Sequence, residues 1–426
     1  MFLIQFFNLF FTLELVPVTL NCISPAEYGI WLTISSITIW LINLDLGLGN
    51  GLRNKLTEAL TFKDTKLART YVSTTYFFIF ILSSIFFLIF AVIHPFLSWQ
   101  KIFNAPQVNA DILNTVIFVV FSFYILNFIL KLIGVIVTSY QMPVINSAYN
   151  LLTNFLTLVI IYFLSTGKLS SLLSVSLVYS AVPSVVFLAG SIFLFVKYFR
   201  DISPAIKYIK VKYAKELVTL GFKFFILQVT FLIVFASDNL IITQIFNPGY
   251  VTTYNIVLKY FNIMPVVFAV ILTPFWSAFT EAYFQKDIQW IKNNTKQLIK
   301  IWFIFALIVI IMIFISGWVF KIWIGKDFTP SLILIISMAL FAVITMWNNI
   351  FAYFLNGIGK IRIELMVAVF IGVINIPLSI IFAKYMNLGL SGVILATSVC
   401  LLFGSVITPI QYFKIIRGKA SGIWIK

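Results

Sequence analysis

Residues 29–49 of the chain read GIWLTISSITIWLINLDLGLG, and residues 50–69 read NGLRNKLTEALTFKDTKLAR. The first stretch is apolar and has the roughly 20-residue length that a helix needs to cross a bilayer core of about 30 Å. The second stretch carries five Lys and Arg residues. Because basic residues are retained in the cytosol during insertion, the two stretches predict a membrane helix that ends on the cytosolic side.

This alternation continues along the chain. Of the 29 Lys and Arg residues, 22 lie in every second gap between apolar stretches, at 53–69, 197–223, 286–300, 360–362 and 414–426. The intervening gaps contain only Lys101, Lys168, Lys321, Lys326 and Lys384. The pattern predicts a polytopic helical membrane protein with both termini in the cytosol. It also accounts for the net charge of +16 without nucleic acid as a partner, since the charges are spread over separate loops.

Composition excludes a soluble protein and most catalytic sites. Hydrophobic residues make up 62% of the chain and charged residues 10%, and the mean hydropathy is +1.07, outside the range of soluble domains. Cys22 and Cys400 lie in or beside apolar runs, and His94 is the single histidine. These residues favour neither a disulfide framework nor a metal cluster. We therefore predict no catalytic residue, metal site or cofactor, and the short gaps leave no room for a soluble catalytic domain.

Apolar length divides the chain into twelve predicted spans. We expect an all-α fold with two pseudo-symmetric six-helix bundles: a lobe at 1–200, a basic cytosolic linker at 201–217 and a lobe at 218–426. The first span is expected to be a retained helix, because no basic residue precedes it and no small-x-small cleavage site follows it. The spans are Phe2–Leu20, Gly29–Gly49, Thr70–Ile93, Ile112–Ser139, Val144–Leu164, Ser171–Val196, Val218–Phe246, Thr252–Phe279, Leu298–Val319, Leu332–Leu355, Ile363–Met386 and Leu390–Phe413.

The two halves share a short sequence pattern at an offset of 223 residues. Within Thr57–Asp64 the residues T-E-A and K-D recur in Thr280–Asp287, each time after the second span of a half. At the same offset Pro25 corresponds to Pro248. This favours a parallel repeat about an axis along the membrane normal, as in transporters that rock one half against the other. Convergent loop composition is the alternative.

Five ionisable residues lie inside predicted spans, where each is costly unless it meets water or a partner: Glu14, Asp45, Lys131, Asp238 and Lys259. Glu14 and Asp238 lie at similar depth in the first helix of each half. They are candidates for coupling to a proton or sodium gradient. Alternatively the acids form buried ion pairs, with Lys131 meeting Glu14 or Asp45 and Lys259 meeting Asp238. We leave both interpretations open here.

The end of the second span, Asp45–Lys55, is rich in glycine and polar residues. Its glycines allow close helix approach or a break of the helix at the interface. Asn50 and Arg53 would then line a cytosolic mouth, and a guanidinium is suited to bidentate contact with phosphate. We predict that substrate is bound by Asn50, Arg53, Lys131 and Lys259.

These residues carry a resemblance to a known family. Ser24-Pro25-Ala-Glu27-Tyr28-Gly29-Ile-Trp31, together with Asp45–Lys55 and Ala68-Arg69-x-Tyr71-Val-Ser73, resembles the polysaccharide-biosynthesis (O-antigen) flippases of the multidrug/oligosaccharidyl-lipid/polysaccharide exporter superfamily. The resemblance implies alternating access in a bacterial inner membrane. It also implies that an undecaprenyl-pyrophosphate-linked oligosaccharide moves from the cytosolic to the outer leaflet, with a polysaccharide polymerase and glycosyltransferases as partners.

Three alternatives compete with this interpretation. A multidrug/cation antiporter of the same superfamily would favour an acidic cavity, and Lys131 and Lys259 count against it. A membrane polysaccharide polymerase or ligase would need larger outer loops with catalytic groups. A purely structural scaffold would leave the intramembrane charges without purpose.

Overall fold

The computed structural model describes residues 2–42, 47–167, 170–214, 237–325, 327–360 and 362–425, and every regular element in these ranges is a helix. We number them α1 (Phe2–Leu20), α2 (Pro25–Ile42), α3 (Leu48–Thr61), α4 (Thr65–Ile93), α5 (Trp99–Ile102), α6 (Ala110–Leu130), α7 (Leu132–Ser139), α8 (Pro143–Thr166), α9 (Leu172–Lys197), α10 (237–245), α11 (Pro248–Phe284), α12 (Ile288–Trp323), α13 (Leu332–Gly357), α14 (Arg362–Ile380) and α15 (Gly389–Ile416). A π-helical turn, Ile381–Tyr385, extends α14.

The described part of the chain contains ten helices, counting α6–α7 as one, that are long and apolar enough to cross a membrane. They coincide with ten of the predicted spans, so the chain is a multi-pass membrane protein. The other two predicted spans, Gly29–Gly49 and Val218–Phe246, both include residues outside the described ranges. α2 covers most of the first of them.

Two helices extend well beyond the spans that hydropathy predicts. α11 has 37 residues and α12 has 36, which at the helical rise makes each roughly 55 Å long. The hydrocarbon core is only about 30 Å thick. Most of the excess over the predicted spans lies where the two helices meet, at the C-terminal end of α11 and the N-terminal end of α12.

The chain divides into two compact units. The first comprises Met1–Leu232 with Asn247–Gly249, and the second comprises Ile233–Phe246 with Tyr250–Lys426. The structure describes residues 201–214 of the predicted linker (201–217), and they lie against α4 within the first unit. Arg69 Nε donates to the Ser203 carbonyl at 2.9 Å, and the Ser73 hydroxyl accepts from the Ala205 N–H at 3.1 Å.

Polar side chains join the helices of the first unit inside the bilayer region. Asn154 Nδ2 donates to Asn8 Oδ1 at 2.6 Å and to Thr12 Oγ1 at 3.1 Å, linking α8 to α1. Asn127 Nδ2 donates to Ser184 Oγ at 2.8 Å, linking α6 to α9. Because lipid offers no competing hydrogen bonds, such contacts fix how neighbouring membrane helices face each other.

The two copies of the repeated sequence have the same local backbone. Lys63 and Lys286 have positive φ angles of 55° and 61°. Asp64 caps α4 by accepting from the Leu67 N–H at 2.8 Å, and Asp287 caps α12 by accepting from the Trp290 N–H at 2.9 Å. An acidic N-cap satisfies an otherwise unpaired N–H in the first turn of each helix.

A longer-range contact is also duplicated. Thr57 Oγ1 donates to the Arg53 carbonyl at 2.7 Å and lies 3.5 Å from the Ser139 carbonyl, and Thr280 Oγ1 donates to the Gly357 carbonyl at 2.7 Å. The two carbonyls lie at the ends of the fourth and tenth predicted spans, which are equivalent positions in a six-plus-six repeat. The local geometry is therefore shared at the predicted offset. The pseudo-symmetry of complete six-helix halves stays a prediction.

Candidate functional site

Two of the predicted substrate-binding cations line one cavity. Arg53 and Lys131 are 78 positions apart in sequence, yet both border an open cavity of about 300 Å³ in the first unit. α3, α6–α7, α8 and α9 contribute the remaining walls. The other lining residues are Gly49, Gly134, Val135, Thr138, Asn146, Asn150 and Phe187.

Arg53 reaches the cavity because the chain breaks at Gly47. Gly47 precedes α3 with φ 77°, a left-handed conformation that glycine adopts without steric cost. Of the two roles that the sequence left open for these glycines, Gly47 takes the second, because a new helix starts directly after it. α3 then packs on α7, with Ser139 Oγ donating to the Arg53 carbonyl at 3.3 Å, and the Arg53 side chain is exposed.

Lys131 occupies a break within the fourth predicted span. It separates α6 from α7 with ψ −12°, and the Gly134 N–H donates to its carbonyl at 2.9 Å, an i→i+3 contact in place of the α-helical one. Hydropathy alone predicts Ile112–Ser139 as one uninterrupted helix. Lys131 is an exposed residue of the first unit, and it lines the open cavity.

The opposite wall is lined by amides. Asn146 and Asn150 are one turn apart on α8 and therefore share a face. A Cβ at Gly134 would lie 2.7 Å from Asn146 Oδ1, so glycine leaves the space that this amide occupies. None of the described lining residues is acidic. The cavity thus combines two cations with neutral hydrogen-bonding groups, a set that suits an anionic, polyhydroxylated ligand.

Asp238 lies in the second unit, where its side chain is 5% exposed. Tyr254 Oη donates to Asp238 Oδ2 at 2.6 Å, while Oδ1 is buried without a hydrogen-bond partner among the described residues. One position along, Asn255 Nδ2 donates to Asn239 Oδ1 at 2.8 Å. These two parallel contacts join α10 to α11. A buried carboxylate oxygen left unpaired is costly, and a proton or a small cation would satisfy it.

The predicted pairing of Lys259 with Asp238 is wrong. The only ion pair in the described ranges joins Lys55 to Glu58, at 2.9 Å, and the Asp238 carboxylate bonds to Tyr254 instead. Asp238 and Lys259 lie at similar depth along their helices. However, Lys259 follows Tyr254 by five positions, which rotates it by roughly 140° about α11, away from the face that contacts Asp238. Lys259 is half-buried in the second unit.

The predicted pairing of Lys131 with Glu14 is also absent. Glu14 lies on the face of α1 that carries Leu3, Phe7 and Phe10, all exposed in the first unit, and it forms no ion pair within the described chain. Asp45 lies outside the described residues. The backbone of Asn50 is in α3, but its side chain also lies outside them.

Sequence reasoning missed several polar groups, most of which are uncharged. Asn146 and Asn150 are neutral, although two amides one turn apart in an apolar span are a detectable signal. Tyr254 is uncharged and lies in an apolar span, so it does not stand out in the sequence. Glu364, at the start of α14, accepts from Asn356 Nδ2 at 3.4 Å through Oε1, and its Oε2 is buried with no hydrogen-bond partner in the described ranges.

Comparison with known proteins finds one similar sequence. No protein-family model matches the chain. A Yersinia pseudotuberculosis protein with the provisional name O-antigen export protein is 22% identical over 371 residues, covering 83% of this chain and 81% of that protein.

Solved structures share the fold. A multidrug resistance MATE family transporter of the MOP superfamily, in an inward-facing conformation, superposes with a TM-score of 0.78 at 16% identity, over 97% of this chain and 96% of that one. A point mutant of the Vibrio cholerae MATE transporter VcmN superposes with a TM-score of 0.66 at 13% identity, over 100% and 98%. The chain therefore has the fold of MATE-type transporters.

Proposed function

We propose that this protein translocates an undecaprenyl-pyrophosphate-linked oligosaccharide from the cytosolic to the outer leaflet by alternating access. The observation that carries the proposal is the cavity shared by Arg53 and Lys131. The similarity to a protein named for O-antigen export and the transporter fold support it. Both favour transport over enzymatic catalysis.

The chemistry of the cavity fits the polar head of such a lipid. Arg53 can hold two phosphate oxygens at once, and Lys131 supplies a more mobile point charge. Asn146 and Asn150 can exchange hydrogen bonds with sugar hydroxyls. A volume of about 300 Å³ is at the lower end for small-molecule sites, which span roughly 300–1,000 Å³. The cavity therefore suits the diphosphate and its first sugar, with the rest of the glycan outside it.

Asp238 is the proposed coupling residue. Its unpaired Oδ1 is a place where a proton or sodium ion would lower the cost of burial. The hydrogen bond from Tyr254 holds the other carboxylate oxygen in place. Binding and release of one cation could then bias the equilibrium between transporter conformations, provided that the two conformations bind the ion with different affinity.

Leaflet-resolved transport in proteoliposomes tests the proposal. The probe is a fluorescent undecaprenyl-pyrophosphate-linked oligosaccharide whose outward movement exposes it to a membrane-impermeant quencher. We expect Arg53→Ala and Lys131→Ala each to slow transport, and Lys292→Ala, an exposed lysine of α12, to leave it unchanged. Equal rates in the wild type and both cavity variants would refute the proposal. Export of cationic dyes in place of the lipid would instead establish the antiporter.

A further inference from the structure

A second cavity lies beside the cationic one, within the same unit. It has a volume of about 840 Å³, runs between α8 and α9, and is lined by aliphatic and aromatic residues together with Gly190. Leu152 and Leu156 line it from α8, and Ala189 and Phe193 line it from α9. We call it the apolar groove.

The two cavities share the helix α8. This helix presents Asn146 and Asn150 to the cationic cavity and Ile145 and Tyr149 to the apolar groove. The Tyr149 ring lies 5.5 Å from the ring of Phe187, and Phe187 lines the cationic cavity. One pair of aromatic rings therefore stands between a site for an anionic head and a site for an apolar chain.

A glycine makes room for the ring that separates the two cavities. A Cβ at Gly190 would lie 2.5 Å from a ring carbon of Tyr149, so the missing side chain leaves room for the ring against α9. Ala189, the adjacent residue, is small and exposed. The small side chain of Ala189 keeps the α9 wall of the groove open.

We infer that the apolar groove holds the proximal isoprene units of the polyprenyl chain while the diphosphate occupies the Arg53–Lys131 cavity. The inference rests on the proposed function. Burial alone does not select this chain, because the surrounding lipid is equally apolar. The polyprenyl chain is selected because it is covalently linked to the bound diphosphate. This link raises the local concentration of the polyprenyl chain at the groove. Aromatic walls such as Tyr149 and Phe193 then offer flat surfaces to the methyl-branched isoprene units.

The test separates head binding from chain binding. Inorganic pyrophosphate and undecaprenyl pyrophosphate are titrated against the full-length protein in detergent. Ala189→Trp fills the groove, and Leu188→Trp is its matched control, because Leu188 is an exposed neighbour on α9 that does not line the groove. We expect Ala189→Trp to weaken undecaprenyl pyrophosphate binding roughly tenfold and to leave inorganic pyrophosphate binding unchanged. Arg53→Ala should weaken both.

A second measurement avoids the bulky substitution. A photoreactive amino acid at position 189, but not at position 188, should crosslink to undecaprenyl pyrophosphate, and an excess of the unlabelled lipid should compete. Two results would overturn the groove assignment: crosslinks at position 189 to phospholipid alone, or equal affinities of Ala189→Trp and Leu188→Trp for undecaprenyl pyrophosphate. If Arg53→Ala still weakened pyrophosphate binding, the proposed function would stand. A wild-type protein that binds neither probe would remove the proposed function itself.

Discussion

The cationic cavity of the first unit and the buried acid of the second make a revealing comparison. Arg53 and Lys131 are exposed to an open space, whereas Asp238 is buried and hydrogen-bonded to Tyr254. The two cavity cations are thus open to their surroundings, and this one acid is not. The units nevertheless repeat the same helix junction, with an acidic cap and a threonine contact at equivalent positions.

The difference in exposure limits what each site can bind. An open cavity lets solvent reach its cations, and in the proposed function it admits the diphosphate and the first sugar of the head. A buried carboxylate has room only for a proton or a small ion, and desolvation makes its unpaired oxygen sensitive to that ion. A shared helical framework can therefore support substrate binding in one unit and ion coupling in the other.

The largest effect is expected from removing both cavity cations. Hydrogen bonds to charged groups contribute about 1.5–3 kcal/mol each, so the double variant Arg53→Ala/Lys131→Ala should lose at least about a hundredfold in transport rate. Flipping of the labelled lipid in proteoliposomes measures it, with Lys292→Ala as the control. A double variant within threefold of the wild type would show that the cavity is not the head site.

Neutralising the buried acid should change coupling more than folding. In Asp238→Asn the amide oxygen still accepts from Tyr254, and no charge is left to attract an ion. We expect transport to become independent of an imposed proton or sodium gradient, with normal expression and insertion. Glu281→Gln, an exposed acid of the same unit, is the control and should keep the wild-type response. Continued gradient dependence in Asp238→Asn would exclude this carboxylate as the coupling group.

The fold follows from the sequence to a large extent because bilayer thickness and charge retention act on any chain. Apolar length and basic loops were sufficient to predict ten spans that the structure contains. The break at Lys131 was not predictable in this way, because hydropathy is continuous across it and Gly134 alone does not distinguish a break from close helix packing. Likewise, nothing in hydropathy indicates that residues 201–214 lie along α4.

The candidate site was predictable only where charge marks it. Arg53 and Lys131 stand out in an apolar chain, and the structure brings them together. Asn146 and Asn150 do not stand out, because a neutral amide costs less in a membrane than a charge. The pairing of Asp238 with Lys259 failed because depth fixes position along a helix axis but not direction around it.

Tyr254 is expected to stabilise the acid site by a smaller amount. Tyr254→Phe removes the donor to Asp238 Oδ2, and leaving a buried acceptor without its donor costs about 1–3 kcal/mol. The melting temperature should fall, as measured by thermal unfolding in detergent. Tyr250→Phe, an exposed tyrosine in the first turn of α11, should leave it unchanged. Equal melting temperatures in the two variants would mean that the Tyr254 contact does not stabilise the native state.

The smallest effect should come from the duplicated threonine contact, and it measures how far the two units are equivalent. Thr57→Val and Thr280→Val each remove one hydroxyl without changing side-chain shape, and a neutral hydrogen bond contributes about 0.5–1.5 kcal/mol. Because the Thr280 contact is 2.7 Å and the Thr57 contact is 3.5 Å, Thr280→Val should lower the melting temperature more. Thr61→Val, whose exposed hydroxyl donates only within its own helix, sets the baseline. If Thr57→Val and Thr280→Val have the same melting temperature as Thr61→Val, the shared contact does not stabilise either unit.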